Sequence, residues 1–231
     1  MKIQMLVYPG MTPLDLIGPA QAWVRVPGAE LQYVWKETGP IPTDAGLSVV
    51  ATTSFADAWE TPDILFVPGG ETPSFDLVED QQTIDFLATR GAKAGWVTSV
   101  CTGSLLLGAA GLLTGYRATS HWLVRDELAH FGAIPTPGRW VVDRNRATGG
   151  GVTAGIDFGL MLVGLLAGEP QARVTQLMME YAPEPPYRSG SPEEALPETL
   201  AYLRQAWAAS GEQRVRAQMV QAGSRHLVEA S

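Results

Sequence analysis

Cys101 is the only cysteine of the chain, and its position is typical of a catalytic nucleophile. The apolar residues 95–100 predict a buried strand, and the apolar spacing after Thr102 predicts a helix. A cysteine between them lies in a nucleophile elbow, where small residues such as Gly103 let a substrate approach. Free amides and the helix dipole predict a thiol pKa below the ordinary value of about 8.5. The alternative, an inert core cysteine, fits a mid-strand position better.

Asp15 is a candidate for proton transfer, although its local pattern has a simpler interpretation. The segment Thr12-Pro13-Leu14-Asp15 predicts a helix start in which Thr12 is the cap and Asp15 its capping-box partner. A carboxyl group beside a thiolate in an apolar pocket would instead have a raised pKa and would be suited to move protons. The pattern alone favours the capping role, and the two roles are compatible.

Several backbone amides at predicted strand ends are candidates for binding substrate or developing negative charge. Thr102 follows the cysteine directly, so its hydroxyl and amide are expected at the site and make it a candidate catalytic residue. Gly70 ends the segment Pro68-Gly69-Gly70, and Gly151 and Val152 open a helix after a glycine run. The alternatives are a helix-capping role for Thr102 and glycines that serve only the turn. Both alternatives stay open.

His121 is the histidine expected nearest to the site, 20 residues after the cysteine. A Cys–His pair is common in thiol hydrolases, where a carboxylate orients the histidine. The His-x-Glu spacing of amidotransferase triads is missing, since Leu123 stands two residues after His121. We therefore predict that His121 lies beside the site and contacts substrate or supports structure, and that it is not a general base.

The composition indicates one globular α/β domain. The chain has 231 residues, 45% hydrophobic and 17% charged. Its net charge of −8 argues against nucleic acid and anionic membranes as partners. One cysteine permits no internal disulfide, and the first residues read as a strand, not a signal peptide, so we expect a cytoplasmic protein. No pattern in the sequence calls for a cofactor or a metal.

The order of predicted elements positions these residues at one edge of a sheet. Strands alternate with helices through short glycine turns, which predicts a doubly wound, mostly parallel, flavodoxin-like sheet flanked by helices. In such sheets the site lies at the carboxyl ends of the strands. The predicted strands are residues 3–8, 31–36, 47–52, 63–67, 95–100, 117–119 and 140–143, and the predicted helices start at Thr12 and Thr102 or span residues 83–90, 122–131 and 152–167. Residues 147–151 are expected as a turn.

The composition changes after residue 182, where a linker rich in proline begins. We predict an α/β domain over residues 1–182 and a C-terminal extension over residues 183–231. The extension is expected to form two helices, over residues 193–209 and 212–229, that pack on the domain or on a dimer partner. The second helix has few large apolar residues.

Four motifs in the main domain resemble the ThiJ/PfpI-like superfamily, which has the class I glutamine amidotransferase-like fold. They are VYPGMTPLDLIGP, DILFVPGG, SVCTGSLLLGAAGLLTGYRATSHW and TGGGVTAGIDFGLMLV, and they span residues 3–182. Within the superfamily the chain is most similar to the isonitrile hydratases. That similarity rests on Asp15, on the pair Cys101-Thr102, on ATTSFAD and on the tail motif EYAPEPPYRSGSP.

The resemblance implies a hydro-lyase that adds water to an isonitrile and releases an N-substituted formamide. It implies a covalent thioimidate on Cys101, proton transfer by Asp15 and a homodimer, and so it favours the catalytic role of Asp15 over the capping role. Two positions depart from relatives. Glyoxalase-like members carry Glu at the position of Asp15, and hydratases carry Ile at the position of Val152, a change that leaves the amide intact.

Other functions remain as alternatives at this point. The thiol would also suit a redox-sensing or regulatory protein of the same superfamily, or a glyoxalase-like or deglycase-like enzyme. A glutamine amidotransferase or protease is weakened by the missing triad. A transcription regulator would need a basic DNA-binding domain, and the residues after the linker are too few for one.

Overall fold

The computed structural model describes residues 1–229 of the chain. The strands are β1 (Lys2–Leu6), β2 (Glu30–Trp35), β3 (Gly39–Pro42), β4 (Ser48–Ala51), β5 (Thr53–Ser54), β6 (Ile64–Val67), β7 (Trp96–Val100), β8 (Arg117–Ala118), β9 (Ile134–Pro135), β10 (Trp140–Asp143) and β11 (Arg146–Gly149). The α-helices are α1 (Pro13–Trp23), α2 (Thr72–Asp76), α3 (Gln81–Gly91), α4 (Gly103–Ala109), α5 (Ala154–Ala167), α6 (Glu169–Met178), α7 (Pro197–Ser210) and α8 (Glu212–Glu229), and 3-10 helices span Leu77–Glu79 and Arg125–Phe131.

A seven-stranded sheet in the order β10-β11-β7-β6-β1-β2-β5 forms the centre of the protein. All its neighbouring strands are parallel except β10, which pairs antiparallel with β11. Helices flank the sheet, so the predicted fold class is confirmed. The chain leaves β1 for β2 on one side and later returns to place β6 on the other. The β1–β6 boundary is therefore the switch point at which such sheets bind ligands.

The core on one side of the sheet is built around aromatic rings. Trp23 meets Phe66 edge to face with ring centroids 5.1 Å apart, and its indole nitrogen donates to the Gly159 carbonyl at 3.2 Å. Helix α1 crosses α5 closely, because a Cβ atom on Gly159 would lie 2.9 Å from the Pro19 Cα. These contacts fix the start of α1 relative to the sheet.

Several elements differ from the prediction. The expected turn at residues 147–151 begins as strand β11, because residues 146–149 pair with both β7 and β10. The expected helix 122–131 is a 3-10 helix that starts at Arg125. Helix α5 starts at Ala154, two residues later than expected. Helices α2 and α6 and the short strands β3 and β9 were not predicted, since they lie in turn-rich or strongly polar segments.

The C-terminal extension packs on the main domain through α8. Its side chains Val215, Met219 and Ala222 are buried in the core. Gly223 touches the neighbouring 3-10 helix so closely that a Cβ atom would lie 2.1 Å from the His130 carbonyl oxygen. Helix α7, in contrast, has no buried side chain. Within residues 1–229, no helix has both the length and the apolar character needed to cross a membrane.

Candidate active site

Cys101 occupies the sharp turn between β7 and α4, as the elbow prediction requires. Its φ angle is 54°, in the left-handed region that non-glycine residues rarely adopt. Its amide donates to the carbonyls of Gly149 (3.1 Å) and Gly150 (2.8 Å), and these bonds hold the turn against the end of β11. Two residues later a glycine is required, because a Cβ atom on Gly103 would lie 2.3 Å from the Val67 carbonyl oxygen. The cysteine side chain is buried but reaches a cavity.

The sulfur accepts hydrogen bonds from two backbone amides, those of Thr102 and Val152. These bonds favour the thiolate, but burial opposes them and raises the pKa of the Cys101 thiol above its ordinary value, with a further increase from the Asp15 carboxylate. The prediction of an acidic thiol is therefore wrong. Two amides do not compensate for the desolvation of a buried charge beside a second one. The thiol keeps its proton at neutral pH.

Asp15 is fully buried at the start of α1, with 0% of its surface exposed. Its Oδ2 accepts a hydrogen bond from the Gly69 amide at 2.9 Å, across the switch point of the sheet. The capping-box interpretation is wrong. The Thr12 hydroxyl donates to Asp44 at 2.5 Å and the Thr12 amide donates to the Gly69 carbonyl, so neither group contacts the Asp15 carboxylate.

Asp15 and Cys101 meet at Gly69. A Cβ atom on Gly69 would lie 2.6 Å from the Cys101 Cβ and 2.7 Å from the Asp15 Oδ2, so only glycine leaves room for both side chains. Burial raises the pKa of Asp15 from 3.8 to about 7, although the hydrogen bond from Gly69 lowers it. Its Oδ1 is buried and makes no hydrogen bond to any described residue. The pair thus combines a protonated thiol with a carboxyl group that gains and loses a proton near neutral pH.

Thr102 and Gly70 bind each other. The Thr102 hydroxyl donates to the Gly70 carbonyl at 2.7 Å and accepts from the Gly70 amide at 2.9 Å. Ser74, which the sequence did not single out, donates to the same hydroxyl at 2.9 Å. The Gly70 amide thus donates to the Thr102 hydroxyl. Thr102 contacts the sulfur through its backbone amide.

His121 lines the cavity beside Cys101, as predicted. Burial lowers its pKa, so the imidazole is neutral. Its Nδ1 accepts from the Leu123 amide at 3.4 Å, and no carboxylate pairs with it among the described side chains. Gly151 packs on its ring, because a Cβ atom on Gly151 would lie 2.6 Å from the His121 Cδ2. The absence of an orienting carboxylate agrees with the missing triad.

A cavity of about 350 Å³ opens above the sulfur. The loop after β1, the turn after β6, the elbow, the segment after β8 and the α7–α8 corner all contribute to its wall, through Thr12, Gly70, Glu71, Thr72, Phe75, Cys101, Thr102, His121, Leu123, Val124, Val152, Trp207, Ser210, Gly211, Arg214 and Val215. No sequence pattern predicts that the C-terminal helices reach the site. Their lining residues lie more than 100 positions from the cysteine and belong to no motif.

The side chains in the described part of the chain do not form a metal site. No group of three or more His, Cys, Asp or Glu side chains there is arranged to hold a metal ion.

Comparison with known proteins identifies relatives along most of the chain. The model of the DJ-1/PfpI family matches residues 1–165. The chain is 48% identical to an isonitrile hydratase of Pseudomonas putida over 195 residues, which are 84% of this chain and 85% of that protein. A crystal structure of a ThiJ/PfpI family protein from Pseudomonas syringae superposes with a TM-score of 0.91 at 45% identity, over 96% of this chain and 90% of that one.

A more distant structure shows how far the fold extends. Oxidized DJ-1 of Toxoplasma gondii superposes with a TM-score of 0.69 at 23% identity, over 79% of this chain and 99% of that one. The resemblance inferred from the four sequence motifs is confirmed. With a family match over its first 165 residues, this chain belongs to the DJ-1/PfpI family.

Proposed function

We propose that this protein is an isonitrile hydratase, a hydro-lyase that converts R–N≡C and water into R–NH–CHO. The observation that carries the proposal is the buried pair of the sole thiol and the Asp15 carboxyl group, which meet at Gly69. The terminal carbon of an isonitrile must receive both a proton and a nucleophile, and this pair supplies both. The 48% identity to the isonitrile hydratase of Pseudomonas putida supports the same assignment.

The first step adds the Cys101 S–H across the isonitrile carbon. The Asp15 carboxylate accepts the thiol proton and delivers it to the carbon, whose lone pair forms the new C–H bond. The sulfur electron pair forms the C–S bond, which gives the thioimidate R–N=CH–S–Cys101. Because Asp15 has a pKa of about 7, it suits both halves of this transfer.

The second step returns the enzyme to its starting state. Asp15 accepts a proton from water while the oxygen attacks the thioimidate carbon, and it then gives this proton to the nitrogen, which yields R–NH–CH(OH)–S–Cys101. The C–S bond then breaks, Asp15 accepts the hydroxyl proton and returns it to the sulfur, and the formamide R–NH–CHO leaves. No oxidant, reductant or cofactor is required.

The neighbouring groups position the reaction. The amides of Thr102 and Val152 hydrogen-bond the sulfur and stabilise it as it loses its proton. The Gly151 amide, at the same turn, is proposed to bind the substrate nitrogen as charge develops there. The Gly70 amide acts indirectly, through the Thr102 hydroxyl that it binds. His121, neutral and on the cavity wall, is proposed to contact the substrate without taking its proton.

The raised pKa of Cys101 argues against the redox-sensing alternative. Peroxide sensors depend on an accessible thiolate, whereas burial raises the pKa of this thiol and Cys101 is only 5% exposed. No specific observation favours a deglycase over a hydratase.

The test is direct. Wild-type protein incubated with a simple alkyl or aryl isonitrile is expected to produce the matching formamide, detected by loss of the isonitrile infrared band and by mass spectrometry. Asp15→Asn is expected to lower turnover about a hundredfold, the usual scale for losing a general acid–base. If wild-type protein yields no formamide from any isonitrile tried, the proposed function is wrong.

We further propose that the protein is a cytoplasmic homodimer. The resemblance to the superfamily implies a dimer, and an apolar groove between α1 and the β3–β4 pair offers a surface for a second copy, lined in part by exposed Ile17, Val24 and Val50. Helix α5 packs on α1 of the same chain through Gly155 and Gly159, so this face of α5 is not available to a second copy. Sedimentation of wild type and Ile17→Asp tests the dimer, which the charge is expected to split.

A further inference from the structure

The α7–α8 corner contributes to the cavity in a way that none of the reacting groups does. It supplies Trp207, Ser210, Gly211, Arg214 and Val215, all on the C-terminal side of the linker. None of these side chains is needed for the proton and nucleophile transfers described above. They line the part of the cavity that is available to the unreactive portion of a substrate.

The ring of Trp207 packs against a second aromatic ring on the cavity wall. Its centroid is 6.0 Å from that of Phe75 on α2, with the planes inclined at 54°. Phe75 is buried, and Trp207 is, with Leu200, one of two half-buried residues of a helix that is otherwise exposed. A tryptophan held in this way lines the cavity and presents apolar surface to whatever occupies it.

The packing of α8 sets the position of this ring pair. Arg214 forms an ion pair with Asp76, the residue after Phe75, at 2.6 Å, and Gln218 donates to the same carboxylate at 3.1 Å. Val215 of α8 is buried beside them. The contacts between α2 and α8 therefore hold Phe75 in place beside Trp207. Gly211, with φ at 155°, turns the chain from α7 into α8.

We propose that Trp207 is a specificity-determining residue of this enzyme and that it selects isonitriles with an apolar, ring-sized N-substituent. This inference rests on the proposed hydratase function. With the isonitrile carbon at Cys101, the N-substituent extends into the remainder of the cavity, where Phe75, Trp207 and Val215 offer apolar contact. A cavity of about 350 Å³ has room for such a group, and a methyl group would leave most of it unfilled.

The experiment compares phenyl isonitrile with methyl isonitrile on three variants. Trp207→Ala is expected to lower the ratio of kcat/KM for phenyl over methyl isonitrile about tenfold or more, mainly through KM. Trp207→Phe, which keeps a ring, is expected to restore most of that ratio. Tyr202→Ala is the matched control, because Tyr202 lies on the same helix, is 70% exposed and does not line the cavity.

A binding measurement separates this inference from the proposed function. Calorimetric titration of phenyl isonitrile into Cys101→Ala and into Cys101→Ala/Trp207→Ala is expected to show about tenfold weaker binding to the double variant. Equal binding to both, or equal loss of kcat/KM for both substrates in Trp207→Ala, would overturn the role of Trp207 while leaving hydration intact. Absence of turnover with wild type would remove the hydratase function, and the titration would still decide whether Trp207 binds the ring.

Discussion

The Cys101 elbow and helix α7 border the same cavity but are held in different ways. At the elbow, hydrogen bonds of the Cys101 backbone hold the turn in place. The Cys101 amide bonds two carbonyls, and its carbonyl accepts from Ser104 and Ser120. Helix α7 has no buried side chain, and it contacts α8 and, through the Trp207 ring, Phe75 of α2. The reacting atoms are thus fixed by the sheet, while the wall that meets the rest of the substrate is held by side chains and is separable from the chemistry.

The largest effect is expected from removing the nucleophile of the elbow. Cys101→Ala should lower formamide production on the order of 10⁴-fold or more, and Cys101→Ser nearly as much, because the covalent route is lost. Variants of Trp207 should keep measurable turnover. Circular dichroism melting serves as the control for folding. Substantial hydration by the alanine variant would exclude the covalent mechanism.

Asp15, beside the elbow, should make the stability of the protein depend on pH, and no group on α7 is expected to do so. Its pKa is raised from 3.8 to about 7 in the folded protein, so the folded state holds a proton that the unfolded state releases within this window. The free energy of unfolding should therefore fall as pH rises through the window, by about 4 kcal/mol at 1.36 kcal/mol per pKa unit.

Chemical denaturation of wild type and Asp15→Asn measures this contribution. Asparagine cannot ionise, so the variant should gain stability relative to wild type between about pH 4 and about pH 8. The difference between the two proteins cancels the effect of the other carboxylates. A constant difference across the range would show that the pKa of Asp15 is the same in the folded and the unfolded protein.

Two glycine substitutions compare crowding in the two regions. Gly69→Ala should destabilise the protein by about 1 to 3 kcal/mol and displace the Cys101–Asp15 pair, because its Cβ atom would lie within 2.7 Å of both side chains. Gly190→Ala, in the linker, has no atom within 4 Å of its Cβ position and should be close to neutral. Melting temperature and turnover measured on both variants test this. Equal behaviour would mean that Gly69 has space to spare.

The smallest effect is expected on α8, away from the cavity. Arg225 pairs with Glu79 at 3.1 Å, and both side chains are well exposed, 50% and 36%. Arg225→Ala should therefore cost less than about 1 kcal/mol of unfolding free energy and leave turnover unchanged. Salt titration of the melting temperature provides the check. A larger loss would mean that α8 is held mainly by its ion pairs and not by its buried apolar residues.

The fold and the reacting residue could be predicted from the sequence because their signals are local. The elbow at Cys101 follows from an apolar strand, a cysteine and small residues in direct succession. The alternation of strands and helices predicted a doubly wound, mostly parallel sheet, but it did not predict the order of the strands. Strand β11 was missed because its residues look like a turn until β7 and β10 pair with them.

The chemistry of the site was harder to predict because it depends on distant residues. The local pattern gave Asp15 a capping role, but Asp44, 32 residues from Thr12, takes the Thr12 hydroxyl and the Gly69 amide takes the carboxylate. The thiol pKa depends on burial, which the helix-dipole argument does not include. Trp207 and Arg214 carry no motif, and only tertiary packing brings them to the cavity.

The left-handed backbone of Cys101 places activity in competition with stability. A non-glycine residue at φ 54° costs about 1 to 2 kcal/mol that glycine would not incur. Screening variants of this protein for thermal tolerance alone would therefore favour glycine at position 101 and an uncharged residue at position 15, and so eliminate the enzyme while improving the scaffold. Laboratory evolution of a more robust catalyst must select for turnover in every round.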